Sequence, residues 1–127
     1  MRELLFRGKK EKNGEWIEGI AFPHDNRGKV TMFRQHPADG SLIGDEVIPE
    51  SVGQYTGLMD ENGTKIFEGD ILKDRLDGDI SEVIYTRYAF KVKNVKRKYI
   101  LTLAGYHNCE VIGNIYDNPE LLEVNNE

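Results

Sequence analysis

The feature that most limits what this chain can fold into is an alternation of apolar and polar residues with a period of two. That is the repeat of a strand with one face buried, not the 3.6-residue repeat of a helix. Residues 15–22, 65–72, 82–86, 88–93, 99–103 and 110–116 all carry it. They are rich in β-branched and aromatic side chains, which fit a pleated, half-buried surface. Residues that accept positive φ stand between the runs. Asn13-Gly14 and Asn62-Gly63 suit tight hairpin turns, and Arg27-Gly28, Asp39-Gly40 and Asp77-Gly78 are further turn sites.

With 13 glycines spread along it, the chain has no room for a long helix. The one short helical turn expected is 118–122, with Asn118 as N-cap, Pro119 as first helical residue and Glu120 at the positive end of the dipole. Residues 23–50, with Pro23, Pro37, Pro49 and several glycines, read as loop and as the segment facing a partner. The tail 125–127 is expected to fray. The fold expected is mainly β, a small curved-sheet or β-barrel architecture with a C-terminal helical turn. It forms a single domain of 127 residues or two joined subdomains, 1–55 and 56–127. A faint echo links Asn13-Gly14-Glu15-Trp16-Ile17-Glu18-Gly19 with residues 62–69. Hairpins reusing one turn grammar account for it as well as two related halves do.

Bulk properties exclude several classes. Hydrophobic content of 39% with 31% charged residues fits neither disorder nor a membrane protein, and no apolar run approaches the ~20 residues of a membrane helix. The apolar stretch Leu4-Leu5-Phe6 is shorter than the roughly 7–15 residues of a secretion signal, so a cytoplasmic location is expected. Cys109 is the one cysteine and cannot form an internal disulfide. The net charge of −5 repels nucleic acid as a whole.

No catalytic, metal or cofactor constellation emerges. His107 and Cys109 share a face if extended, but a metal needs more ligands and a nucleophile needs an orienting group. His24 and His36 read as loop residues. Asp74, Asp77, Asp79 and Glu82 lack the glycine and helices of a calcium loop, and the stretch 60–63 has Leu58 where a ligand would start. Gly53 and Gly57 belong to no phosphate-loop pattern and read as bends. Glu68 and Asp70 resemble a carboxylate pair only by trivial strand spacing. The expectation is therefore not an enzyme, with no cofactor and no evident small-molecule site.

One charged feature runs against the global acidity. Arg87, Lys91, Lys93, Lys96, Arg97 and Lys98 are interleaved with Tyr88, Phe90 and Tyr99. Cations beside aromatic faces can track a nucleic-acid backbone and stack bases. The plainer reading is the wet face of a strand and a charged hairpin that guards an edge.

Three blocks resemble the signature of the phage and prophage YopX family. They are Phe6-Arg7-Gly8-Lys9 followed by 13–19, the segment 52–71, and the closing 111–122. The blocks span the chain, while 23–48 and 73–108 match no fixed pattern. The resemblance implies a phage or prophage origin in a bacterial cell, a β-barrel-like fold and self-association, and it implies no activity. Within the blocks, Gly8, Gly19, Gly57 and Gly69 suit bends. Phe6, Trp16, Tyr55, Phe67 and Tyr116 suit a shared core, and Glu18, Glu68 and Asp70 suit bonds to neighbouring backbone. The leading expectation is a homo-oligomeric interaction module, and the alternative is a nucleic-acid-binding accessory protein acting through 87–99.

Overall fold

The computed structural model describes residues 4–24, 28–105 and 108–123. Its chain divides into two compact units, Met1–Tyr55 and Thr56–Glu127. Both are built of antiparallel strands, and the helical content among the described residues is short 3-10 turns.

The first unit contains β1 (Phe6–Lys9), β2 (Trp16–His24), β3 (Lys29–Gln35), β4 (Leu42–Val47) and the start of β5 (Gly53–Met59), in the order β4-β3-β2-β1-β5. Alternation sends Ile17, Met32 and Val47 to one face, where Phe6, Ala21, Val30 and Val52 pack against them. Residues 23–50, expected to be loop, supply two of these strands. Pro23 lies within β2 opposite Val30, and Gly40 belongs to the β3–β4 hairpin. Here proline and glycine punctuate hairpins, and Val30, Met32 and Val47 supply the apolar side that makes the segment sheet. His24, expected in a loop, closes β2.

The barrel expectation is narrowed. The sheet curls until the end of β4 meets the end of β1 through one bridge, Lys10 to Val47. Glu11 N–H donates to Glu46 O at 3.0 Å and Ile48 N–H to Lys9 O at 2.8 Å. A bridge is not a ladder, so the barrel stays open. Gly8 and Gly19 are sites of close approach rather than bends. A Cβ on Gly19 would collide with the Phe33 carbonyl, and one on Gly8 would press against Met32 and Val47.

The second unit continues β5 and adds β6 (Lys65–Phe67), β7 (Asp70–Asp74), β8 (Ile80–Thr86), β9 (Ala89–Asn94), β10 (Ile100–Thr102) and β11 (Cys109–Asn114). Its five-stranded sheet runs β10-β9-β8-β7-β11. The core is Ile66, Leu72, Val83, Phe90, Val92, Leu103 and Cys109. The run 65–72, expected as one strand, is two. Ile66-Phe67 and Ile71-Leu72 are buried in consecutive pairs, which breaks the period. Gly69 reverses the chain at φ 92°, and Asp70 Oδ2 accepts the Phe67 N–H at 2.7 Å. The two halves of the echo thus differ, since Gly19 lies inside a strand and Gly69 in a turn.

Pro119–Leu122 is a 3-10 turn, and Asn118 makes no capping bond to it. Its Oδ1 instead accepts the Asn114 N–H at 3.2 Å. Tyr116, expected in the core, is 39% exposed, while Tyr55 and Phe67 are buried. Tail residues 125–127 lie outside the described residues.

Hairpin loops 10–15, 36–41, 74–79 and 94–99 share one geometry. The first residue donates its N–H to the carbonyl five positions on, and accepts from the N–H four positions on. That fourth position is left-handed, occupied by Gly14, Gly40, Gly78 and, in the last loop, Lys98 at φ 66°. The two-residue β8–β9 turn places Arg87 and Tyr88 at φ 52° and 67°, the mirror-image turn that favours Asn-Gly. Each side chain in this region opposes folding by about 1 kcal/mol.

Asp60, buried between β5 and β6, holds the second unit together. Its Oδ1 accepts N–H groups of Asn62 and Thr64, both at 2.9 Å, and its Oδ2 accepts the Val111 N–H on β11 at 2.9 Å. Burial alone would push its carboxyl up, but the three N–H donors outweigh this and hold it below the usual value of 3.8.

Two outcomes follow from these turns. Lys98→Gly raises stability by about 1 kcal/mol, and Arg87→Asn with Tyr88→Gly by about 1–2 kcal/mol, in urea unfolding. Asp60→Asn lowers stability by about 1–3 kcal/mol, because one oxygen facing an N–H becomes a donor. A carboxyl depressed on folding adds stability above its unfolded value that is lost as pH falls through the folded one. The wild type therefore loses stability relative to the Asn variant below about pH 4, measured by melting from pH 7 to 2.5.

Candidate interaction surface

The nominated cations are dispersed along β9 rather than gathered. Arg87 lies in the turn before it, Lys91 and Lys93 share its face away from the core, and Lys96, Arg97 and Lys98 form the hairpin after it. At ~3.3 Å per residue, this six-residue strand separates Arg87 from the Lys96–Lys98 end by about 20 Å. Phe90, Val92 and Asn94 point to the other, buried face. Glu82 on β8 stands opposite Lys93. The Lys96–Lys98 hairpin leans on the acidic β7–β8 turn, where Asn94 Nδ2 donates to Asp79 Oδ2 at 2.9 Å and Val95 N–H to Ile80 O at 2.9 Å. The charge there is partly compensated.

That acidic turn is structural. Asp74 Oδ1 accepts the Leu76 N–H at 2.7 Å, and Asp77 Oδ1 accepts the Asp79 N–H at 2.8 Å. Among the described residues, no three His, Cys, Asp or Glu side chains are grouped to hold a metal. Cys109 is buried; burial first, then the nearby Asp60 charge, push its thiol above the ordinary value. His107 lies outside the described residues. His36 Nδ1 accepts the Ala38 N–H at 3.0 Å in its loop.

Tyrosines are the exposed aromatic component of the β8–β10 surface. Tyr88 is 95% exposed at the turn tip, and Tyr85 and Tyr99 are nearly half exposed. Among the described residues, three of the four non-glycine residues at positive φ, Arg87, Tyr88 and Lys98, fall here.

A second surface was missed by sequence reasoning. In the first unit, the face of β2, β3 and β4 away from the core forms an open groove of about 740 Å³. Its apolar lining includes Leu4, Leu5, Ile20, Phe22, Phe33 and Leu42, with Glu18 among the polar residues. Phe22 and Phe33 meet edge to face at 5.7 Å, and Phe33 lies over Gly44, where a Cβ would come within 2.7 Å of its ring. Leu4, Phe22 and Leu42 are more than half exposed. The available signal was the alternation in 29–35, which puts Thr31 and Phe33 on one face. Beside the groove on β1 and β2, the Arg7 guanidinium lies 5.0 Å and the Lys9 ammonium 5.8 Å from the Trp16 ring centre.

Comparison with known proteins places these features. The family model described as "YopX protein" matches residues 5–123. The "SPbeta prophage-derived uncharacterized protein YopX" of Bacillus subtilis (strain 168) is 30% identical over 120 residues, 84% of each chain. The crystal structure of protein EF1440 from Enterococcus faecalis superposes with a TM-score of 0.61 at 26% identity, covering 97% of this chain and all of that one. The crystal structure of B. subtilis YopX gives 0.60 at 20% identity, again over 97% of this chain and all of the other, a likeness of fold. Among the described residues, no helix is long and apolar enough to cross a membrane. The match over nearly the full length makes this chain a member of the YopX family.

Proposed function

We propose that the protein is a non-catalytic interaction module of prophage origin that self-associates in the cytoplasm of a bacterial host. The observation that carries this reading is the exposed apolar face of β2–β4, where Leu4, Ile20, Phe22 and Leu42 are 43–69% exposed. Exposed apolar side chains gathered on one rimmed face mark interaction sites in soluble proteins. The partner in this reading is a second copy, which covers the groove and extends the sheet from β4 in a symmetric assembly. Light scattering tests it: apparent mass rises with concentration up to tens of micromolar, and Phe22→Glu with Leu42→Glu yields a monomer with an unchanged β-type dichroism spectrum. A wild type that stays monomeric throughout refutes the reading.

A second reading, favoured by the strained cationic and aromatic turns flanking β9, is nucleic-acid binding through Arg87, Lys91, Lys93, Lys96, Arg97 and Lys98. Tyr88 is available to stack on a base, while Glu82 and Asp79 oppose the lysines. Binding of this kind weakens steeply between about 50 and 200 mM salt, and reversal of Lys96, Arg97 and Lys98 to Glu abolishes it. Fluorescence anisotropy with labelled single-stranded and duplex DNA is the measurement. No binding at low salt removes the reading.

A further inference from the structure

The free edge of the second sheet carries an inference independent of self-association. Among the described residues, β10 ends the order β10-β9-β8-β7-β11, and all three of its residues are exposed. Asn94 N–H donates to Tyr99 O. The alternation of an antiparallel ladder then turns the backbone of Leu101 toward Val92 and that of Ile100 and Thr102 away from β9. Those outward N–H and C=O groups are a template for another strand.

The side chains agree with the backbone. Register places Leu101 on the same face as Val92 and Val83, the face of the buried core. Val92 and Val83 are 2% and 1% exposed, whereas Leu101 is 45% exposed. The apolar layer therefore reaches the edge uncovered. Ile100, on the opposite face, is 49% exposed.

Charge selects the occupant. Lys93 and Lys91 stand directly across from Ile100 and Thr102, and Lys96, Arg97 and Lys98 form the hairpin leading into the strand. The acidic groups on the neighbouring elements are Glu82 on β8 and Asp74, Asp77 and Asp79 in the β7–β8 turn, where Asp74 and Asp77 accept N–H groups of their own turn. Antiparallel pairing of two copies of β10 would leave Lys91 and Lys93 of both copies on one face of the joined sheet with no carboxylate added between them, so an acidic strand is favoured over a second copy at this edge. A nucleic acid has no amide ladder to match the outward backbone groups.

We propose that the β10 edge accepts an extended acidic segment of a partner protein as an added strand, with main-chain bonds to Ile100 and Thr102 and carboxylates facing the lysines of β9. This is strand addition to an exposed sheet edge with charge setting the choice of strand.

The probe is a capped seven-residue peptide alternating valine and glutamate, titrated into the full-length 15N-labelled protein, with a valine–lysine peptide as control. The expected result is saturable amide shifts centred on residues 99–103, slowed amide exchange at Ile100 and Thr102, and no response to the lysine peptide. Thr102→Pro removes an outward donor and abolishes the response. Since proline can disturb the edge itself, Lys91→Glu with Lys93→Glu serves as the second variant and weakens binding about tenfold or more. The proposal is overturned by no shift at about 1 mM peptide, by equal response to both peptides, or by shifts confined to the β2–β4 groove. It is equally overturned if single-stranded DNA displaces the peptide and binds more tightly, or if the protein's edge amides are already protected by dimerisation.

Discussion

The tight hairpins that join these antiparallel strands call for backbone at positive φ, and this constraint organises the molecule. The hairpins at Gly14, Gly28, Gly40, Gly63 and Gly78 meet it with glycine, which has no Cβ to clash. Hydrogen bonds then fix each loop's length, so the register of the next strand is set by where the left-handed residue falls. The loop with Gly63 is one residue shorter than that with Gly14, because Asp60 bonds to Thr64 where Lys10 bonds to Glu15. The Asp60 side chain completes the shorter loop and reaches Val111. On either side of β9 the same geometry is met by arginine, tyrosine and lysine.

Much of this was legible in the residues. Asn-Gly and Asp-Gly pairs marked turns, and the alternation of 82–86 and 88–93 marked β8 and β9, because local turn chemistry and a two-residue period are both local properties. What failed depended on distant contacts. The segment 23–50 reads as loop from its glycines and prolines, yet it forms strands because Val30, Met32 and Val47 meet when the sheet curls. The strand 65–72 broke because Asp70 turns back onto Phe67. Adjacent cations in the sequence became separated in space, since a strand stretches its residues out and alternates their faces.

The YopX signature blocks gain a physical meaning. Gly8 and Gly19 allow Met32, Val47 and the Phe33 carbonyl to approach closely. Tyr55, Ile66 and Phe67 are core residues, and Asp70 and Asn114 satisfy local backbone. These residues maintain shape. The two exposed surfaces, the β2–β4 groove and the β8–β10 side, draw most of their side chains from between the blocks.

The chain has one tryptophan and one cysteine, and they fall in different units. Trp16 is half-buried beside Arg7 and Lys9, so its emission is a native optical reporter of the first unit. The Cys109 thiol is shielded in the core of the second, so its labelling by a thiol reagent times the opening of that unit. Matching transitions from the two signals would mean that the halves melt as one cooperative body, and separated ones that each stands alone.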